Sequence, residues 1–594
     1  MSEWVELRKG ADYNSITSRY GISIMLARLI RNREIITDEE IDLFLNGTLD
    51  NLHDPSEMTD MIKACSLIQQ YISDKKRFRI IGDYDVDGIC STYILVRSLE
   101  ACGAGVDYAI PHRIHDGYGI NEHLIDAAHD DGVEVLITCD NGIAAADQIR
   151  HACDLGMHVI VTDHHEVPYD EDEETGERLE LLPPAEAVVD PHREDDEYPF
   201  KGICGAVVAY KLAGILFNMC GADPSTPDTL RSELLQAAAL ATVCDVMELR
   251  DENRIIVREG LKLVNISPIT GIRALINASG LNGKRITSYH FGFVIGPALN
   301  AAGRLDSASR SLELLCSRDG SEAAVIASEL VAYNDTRKSM TEQGVERAIE
   351  DIDNSPLGND RVLVIYIPGI HESVAGLIAG RIRERYEKPS IVFTDAEEGI
   401  KGSGRSIDSY NMYEELCRFK HLFTKFGGHR MAAGISMNAD SLDVLRTGLN
   451  DNCTLTDAEL TRRVNIDIVL PFNYVSESSV EELAKLEPCG MGNPSPVFAA
   501  GDLTVKKVTI RGKNRNVYFL DVYQNDNSRY KLKLFDNEGR FLNEADAFYG
   551  RGTAGDLCDG SAVGVRIDVI YNPGINEYMG ERSLEFTVRE YRFR

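Results

Sequence analysis

The sequence predicts an α/β protein: a lobe built on a parallel sheet, joined by a long helix to a second α/β lobe and followed by a small OB-like β-barrel. Three observations carry this. Between about residues 60 and 250, short β-branched runs alternate with helix-like stretches, as in a chain of βαβ units. One long helix-period stretch, "SEAAVIASELVAYNDTRKSMTEQGVERAIEDI", then follows. From about 460 the chain turns to closely spaced strands such as "NVYFLDVY", "RYKLKLF" and "AVGVRIDVIY", the pattern of a small antiparallel barrel.

A chain of 594 residues is long enough for about four domains. Residues 1–55 read as a helical lead-in ("SRYGISIMLARLIRN") with no visible chemistry, and 56–310 as the parallel-sheet lobe. Residues 311–355 form the connecting helix, 356–458 the second α/β lobe with strands "VLVIYI" and "SIVFT", and 459–594 the barrel. In the first lobe the strand runs end at "FRIIGDYD", "VEVLITCD", "HVIVTDHH" and "AEAVVD", with Gly103 and Gly156 where helix C-caps belong.

The net charge of −33 argues against a chain that binds nucleic acid over its whole surface, since phosphate affinity comes from Lys and Arg. It leaves room for a local basic channel. Part of the excess lies in "YDEDEETGERLE" at 169–180, a solvated insertion. There is no apolar run of membrane-spanning length and no apolar signal segment. The thirteen cysteines include no C-x-x-C pair and read as reduced thiols, which points to the cytoplasm.

The chemistry sits where the strands end. In "IIGDYDVDGICST", Asp83, Asp85 and Asp87 alternate before Gly88. An EF-hand loop is excluded, because its twelfth position would be Ile94 instead of Glu and a strand, not a helix, leads in. On an extended chain Asp85 and Asp87 project together, and two like charges that close call for a cation. Ser91 or Thr92 is the expected N-cap of the next helix, and Gly88 is expected to free the turn into it. Open α/β sheets bind ligands beyond the carboxyl ends of their strands. Those ends deliver Asp85, Asp87, Asp140, Asp163, His164, His165 and Asp190 to one crevice, and "LLQAAALATVCDVMEL" adds Asp245. A carboxylate-rich set with one or two imidazoles and no thiolate suits two ions of Mn²⁺ or Mg²⁺, the machinery of phosphoester hydrolysis.

"DYDVDG", "CDNG" and "TDHH" resemble the successive motifs of the DHH phosphoesterase superfamily. "PALNAAGRL", the "GGH" of "FGGHRMAAG" and "PCGMGNPSPVF" further resemble its RecJ-like single-strand-specific exonucleases, in the same order from about residue 60 to the end. The resemblance implies a metal-dependent 5′-to-3′ exonuclease that degrades single-stranded DNA to mononucleotides in repair and recombination. It implies metal ligation by Asp85, Asp87, Asp140, His164 and Asp245, with Asp140 as bridge and Asp83 as a further candidate. His165 would stand by the reacting phosphate and Asp163 would hold an imidazole. Arg113, Arg304, Ser403 and Arg405 would take the 5′ phosphate, with Gly427, Gly428 and His429 also binding the 5′ phosphate and DNA and His429 approaching the scissile phosphate. Two departures stand out: Ile81 where relatives often carry His, and Asp190 where Asn is expected before proline.

In the third region, Lys506, Lys507, Arg511, Lys513 and Arg515 interleave with Tyr518, Phe519 and Tyr523, a basic-aromatic track apt for single strands. Partners expected are single-stranded DNA with a free 5′ end, a helicase and a single-strand-binding protein, with the enzyme a monomer and no membrane involved. The alternatives are a DHH phosphodiesterase for short oligoribonucleotides or cyclic dinucleotides, and a non-catalytic DHH scaffold subunit.

Overall fold

The computed structural model describes residues 2–113, 116, 119–171, 178–221, 227–524, 528–578 and 580–594. The chain forms two compact units, one holding the residues up to Gly47 together with Arg462–Arg594, the other Thr48–Thr461. Among the described residues no helix is long and apolar enough to cross a membrane, and the cysteines are all free, with Cys65, Cys90, Cys139 and Cys204 buried.

In the larger unit, the strands Gly105–Ala109, Arg77–Ile81, Val135–Cys139, His158–Thr162 and Ala187–Val189 lie side by side in that order, every pair parallel. The central strands are β-branched and buried on both faces, as a parallel sheet requires. Chain order reverses beside Arg77–Ile81: the next strand joins one side of it and the one after that joins the other. That switch point opens a crevice at the carboxyl ends of Arg77–Ile81 and Val135–Cys139. Asn141 ties these ends together: its Nδ2 donates to the Ile81 and Cys139 carbonyls (3.1 and 2.9 Å), and its Oδ1 accepts from the Ile120 amide. Gly103 and Gly156 follow their helices with φ of 85° and 82°, as C-cap glycines do.

A helix Ser309–Cys316 precedes the long helix Gly320–Asp353, whose N-terminus is capped by the Asp319 side chain. The second lobe carries a sheet in the order Phe423–His429, Ala432–Met437, Ile400–Arg405, Ser390–Asp395, Leu363–Tyr366, of which only the last pair is parallel. Both glycine-rich segments are therefore strands. Of the acidic insertion, residues 172–177 lie outside the described residues; Tyr169–Glu171 and Arg178–Glu180 flank them as an antiparallel pair.

The smaller unit is a sheet in the order Ile468–Val469, Phe498–Arg511, Val517–Tyr523, Arg529–Phe535, Glu581–Phe593, Arg566–Tyr578. Phe498–Arg511 also pairs with Arg566–Tyr578, which partly closes the sheet into an OB-like barrel. The N-terminal segment belongs to this unit: Glu3–Glu6 pairs in parallel with Arg463–Ile466, and Arg33 is buried and donates from Nε to Asn493 Oδ1 at 2.7 Å. Tyr518 does not join the basic track. It is 5% exposed and lies in the barrel core with Leu520 and Val522, so strand alternation places Phe519 and Tyr523 on the opposite face, across from Lys533 and Arg529. Lys506, Lys507, Arg511, Lys513 and Arg515 are exposed.

Candidate metal centre and phosphate pocket

Asp85 does not project from an extended chain beside Asp87. It is the N-cap of the helix Val86–Ala101, its Oδ1 accepting from the Asp87 and Gly88 amides at 2.9 and 3.1 Å. Ser91 and Thr92, the expected caps, are buried inside that helix, with Thr92 Oγ1 bonded back to the Gly88 carbonyl. Gly88 is helical. A Cβ there would lie 2.5 Å from the Asp83 backbone, so the glycine lets the helix start press against the strand end instead of freeing a turn.

The carboxylates fall into neighbouring groups. Asp83, Asp85 and Asp140 offer ligand atoms within 4.8 Å of one another; so do Asp87, His164 and Asp245, and Asp140, His164 and His165. His164 Nε2 stands 3.0 Å from Asp140 Oδ1, 3.5 Å from Asp87 Oδ2 and 3.7 Å from Asp245 Oδ2. Asp140 thus belongs to two of the three groups, and His164 likewise to two. Asp245 follows directly on the helix Pro227–Cys244. Asp87 also accepts the Gly205 and Ala206 amides at 2.7 and 2.9 Å, the N-terminus of the helix Gly205–Met219.

Burial, followed by repulsion from Asp87, raises the Asp85 and Asp140 carboxyls above the ordinary range. Burial and Asp85 push Asp83 up to about 7, and burial with Asp87 and Asp85 pushes Asp245 up to about 8. Burial lowers the His164 imidazole, leaving it neutral and fit to be a ligand. The oxygen Asp83 Oδ1 is buried with no hydrogen-bond partner. Crowded carboxylates, a neutral imidazole and an orphaned oxygen fit hard divalent cations of the Mn²⁺ or Mg²⁺ type. Ile81 is fully buried and offers nothing to this group, whereas Asp83 does.

Asp163 is held apart from the cluster. Its Oδ2 accepts the Ile143 amide at 2.9 Å and its Oδ1 sits 2.8 Å from His165 Nδ1. Burial acts to raise its carboxyl, but the bond to His165 and that imidazole's charge outweigh it and hold it low. Burial opposes charge on His165 as well, yet Asp163 and Asp245 hold it protonated up to about 9. Asp163→Asn is expected to lower turnover about 10–100-fold, as loss of an orienting partner does, with unaltered circular dichroism as the control. Asp190 is fully buried and its Oδ1 accepts the His192 amide at 2.8 Å; its Oδ2 has no partner.

Gly205 closes the wall opposite. A Cβ there would stand 2.9 Å from Asp140 Cβ and 3.2 Å from Asp87 Oδ2, and Asp140 itself sits at φ 59°. Gly205→Ala is therefore expected to cut turnover at least about tenfold through misplacement of Asp140, with a weaker Mn²⁺ affinity by calorimetry as the accompanying readout.

The second cluster is cationic. Arg304 Nη1 donates to the Ser373 carbonyl at 2.7 Å, and Arg405 Nη1 donates to Ser403 Oγ at 3.1 Å. The Arg113 guanidinium lies 4.7 Å from the Tyr84 ring centroid. Burial, and then Arg113, Arg337 and Arg405 in turn, depress the Arg304 guanidinium; burial, Arg383 and Arg113 do the same to Arg405. Arginine stays charged in proteins, so the pocket holds concentrated positive charge suited to an anion. Arg337 was not singled out by sequence. It lies on the long helix with its Nε buried and partnerless, in a stretch that reads as a solvated helix face. Gly427, Gly428 and His429 lie exposed on the strand Phe423–His429, with His429 Nδ1 accepting the Met431 amide at 3.2 Å; His429 is not part of the acidic groups.

Family models match in the order of these parts: the DHH family N-terminal domain at residues 77–242, the DHHA1 domain at 359–454 and the RecJ OB domain at 466–590. The single-stranded-DNA-specific exonuclease RecJ of Bacillus subtilis is 32% identical over 97% of this chain and 69% of its own. That of Haemophilus influenzae is 32% identical over 95% of both chains. The crystal structure of RecJ in complex with Mn²⁺ from Thermus thermophilus matches with a TM-score of 0.78 and 25% identity, covering 99% of this chain and 79% of that one. With the motifs, the sheet order and relatives at this identity along nearly its whole length, this chain belongs to the RecJ family of DHH phosphoesterases.

Proposed function

We propose that this protein is a metal-dependent 5′-to-3′ exonuclease that hydrolyses single-stranded DNA to 5′-mononucleotides. The observation that carries the reading is the pairing, within one compact unit, of overlapping acidic groups that share Asp140 and His164 with a pocket of mutually repelling arginines. The relatives' names give the substrate, and the Thermus relative was crystallised with Mn²⁺. Asp83, Asp85, Asp87, Asp140, His164 and Asp245 would hold two ions. When bound, Mn²⁺ or Mg²⁺ supplies an acidified water and offsets charge on the phosphoryl oxygens.

The rest is the work of this chain's own groups. Arg113, Arg304, Ser403 and Arg405 hold the terminal 5′ phosphate by charge-assisted bonds and so set the strand one nucleotide deep. His165, kept protonated by Asp163, faces the scissile phosphate and donates a hydrogen bond to a non-bridging oxygen as charge develops there. His429 approaches the same phosphate from the second lobe. The exposed basic face of the barrel, with Phe519 and Tyr523 in place of Tyr518, offers a basic and aromatic track for single-stranded DNA. We assign residues 56–310 to catalysis, 311–355 to the connection, 356–458 to nucleic-acid binding, and 459–594, with the lead-in 1–55, to strand holding. A helicase that exposes strands and a single-strand-binding protein that coats them are the expected partners in repair and recombination, with the enzyme working as a cytoplasmic monomer.

The test is purified protein with Mn²⁺ and single strands of DNA or RNA labelled at either end. Mononucleotides released first from the 5′ end of DNA support the reading. Activity confined to dinucleotides, or release from the 3′ end, overturns it.

A further inference from the structure

The helix Pro227–Cys244 ends in a Schellman turn: the Val246 amide donates to the Val243 carbonyl and the Met247 amide to that of Thr242, at 3.3 and 3.1 Å. Asp245, a member of the acidic groups, is the residue at which the helix gives way, its amide still bonded to the Ala241 carbonyl at 2.8 Å. The residue after it must turn left-handed, a position that glycine usually fills. Here it is Val246, with φ 59° and 58% exposed. A β-branched residue at positive φ is a true outlier, and a side chain mostly in water gains little packing in return. Such a conformation persists only where the surroundings impose it.

The imposing group is Asn253. It lies fully buried in the first turn of the helix Asp251–Ile266, and its Nδ2 donates to two carbonyls, that of Glu248 at 3.1 Å and that of Gly202 at 2.6 Å. Both partners are acceptors, so the group facing them must be the NH₂; the Oδ1 is buried without a partner. The two carbonyls come from different walls of the site. Glu248 stands three residues beyond Asp245, and Gly202 three residues before Gly205, whose amide, with that of Ala206, binds Asp87. One side-chain amide therefore links the turn that carries Asp245 to the helix start that holds Asp87, and these two carboxylates share a ligand group with His164. Asn253 is itself held through its neighbour. Glu252 Oε1 accepts from the Tyr198 hydroxyl at 2.6 Å and Oε2 lies 2.8 Å from Lys211 Nζ, on the helix Gly205–Met219, all three side chains being buried.

We propose that Asn253 is a positioning residue of the metal centre: it holds the strained turn at Val246 and so keeps Asp245 beside Asp87 and His164. This rests on the reading above that Asp245 is a metal ligand. Fully buried, Asn253 touches no substrate and acts only through the two carbonyls.

The experiment compares wild type with Asn253→Leu, which keeps the volume and removes both bonds, with Val246→Gly, and with the two combined; Asp245→Asn is the reference for a lost ligand. Amide exchange is followed by mass spectrometry in EDTA, Mn²⁺ affinity by calorimetry, and kcat and KM on a 5′-phosphorylated single strand. Asn253→Leu is expected to speed exchange in residues 200–210 and 240–250 and not in the central strands of the sheet. It should weaken Mn²⁺ binding and lower kcat, each about tenfold or more, and leave KM unchanged. Glycine takes a φ of 59° readily, so the combined variant should regain most of the Mn²⁺ affinity and of kcat. A merely structural role predicts faster exchange throughout the unit and no recovery with Val246→Gly, and either result overturns the proposal. So does Mn²⁺ affinity that is unchanged in Asn253→Leu but weakened in Asp245→Asn. If Asp245→Asn itself binds Mn²⁺ as wild type does, the ligand reading falls, while the exchange arm still decides whether Asn253 holds the turn. Should Asn253→Leu fail to fold, Asn253→Ser, which keeps one donor, is measured against the same outcomes.

Discussion

Asp140→Asn is expected to lower turnover by at least about 10³-fold and at the same time to make the metal-free protein more stable. The two effects share a cause. Asp140 is 3% exposed, its Oδ1 lies 3.0 Å from His164, and Asp87, Asp85, Asp163 and Asp83 all act to raise its carboxyl. Without cations this is a cage of like charges, a cost that folding must carry. Asparagine keeps the shape and tolerates the positive φ of this position, and it removes one charge. Melting in EDTA should therefore rise, by about 1 °C for each kcal/mol of repulsion relieved in a unit of this size. Wild type should recover that difference and more on addition of Mn²⁺, since a ligand at 100 times its Kd adds about 2.7 kcal/mol. The variant should respond weakly. A variant that melts lower than wild type in EDTA and keeps the full Mn²⁺ shift would show that Asp140 is structural.

Much of this site was legible because strand polarity is written into the sequence. Each β-branched run ends on a carboxylate, and a parallel sheet must bring such ends to one edge, so Asp140, Asp163, His164 and Asp190 could be placed without coordinates. What failed was local. Asp85 and Asp87 looked like neighbours on an extended chain, whereas Asp85 caps a helix and the two enter different ligand groups. Tyr518 looked solvent-facing because "NVYFLDVY" is apolar on both parities, and only closure of the barrel decides which parity points inward. Arg337 sits on the long helix, where a charged residue reads as solvated. The role of the lead-in was out of reach for another reason: Arg33 meets Asn493, and no pattern joins residues that far apart in the chain.

Replacing Arg304 should have the next largest effect, and a selective one. Its guanidinium is half-buried, anchored by one bond to the Ser373 carbonyl and repelled by Arg113, Arg337 and Arg405. Cations assembled in this way persist when the binding of an anion offsets the repulsion, and a terminal phosphomonoester carries more charge than any diester along the strand. Hydrogen bonds to charged groups contribute about 1.5–3 kcal/mol each, and Arg304 can offer two in parallel. Arg304→Met, which keeps the apolar stem and removes the charge, should therefore lower kcat/KM on 5′-phosphorylated strands about 10²-fold or more and leave 5′-hydroxyl strands nearly unaffected. With less repulsion left in the pocket, the free variant should also melt no lower than wild type. Arg304→Lys should restore only part of the loss, since an ammonium lacks the planar fork. Equal losses on both strand types would mean that Arg304 joins the lobes through Ser373 and reads no terminal phosphate. Chemistry argues for the selective outcome: a residue kept only to join two lobes through one carbonyl has no need of three cationic neighbours.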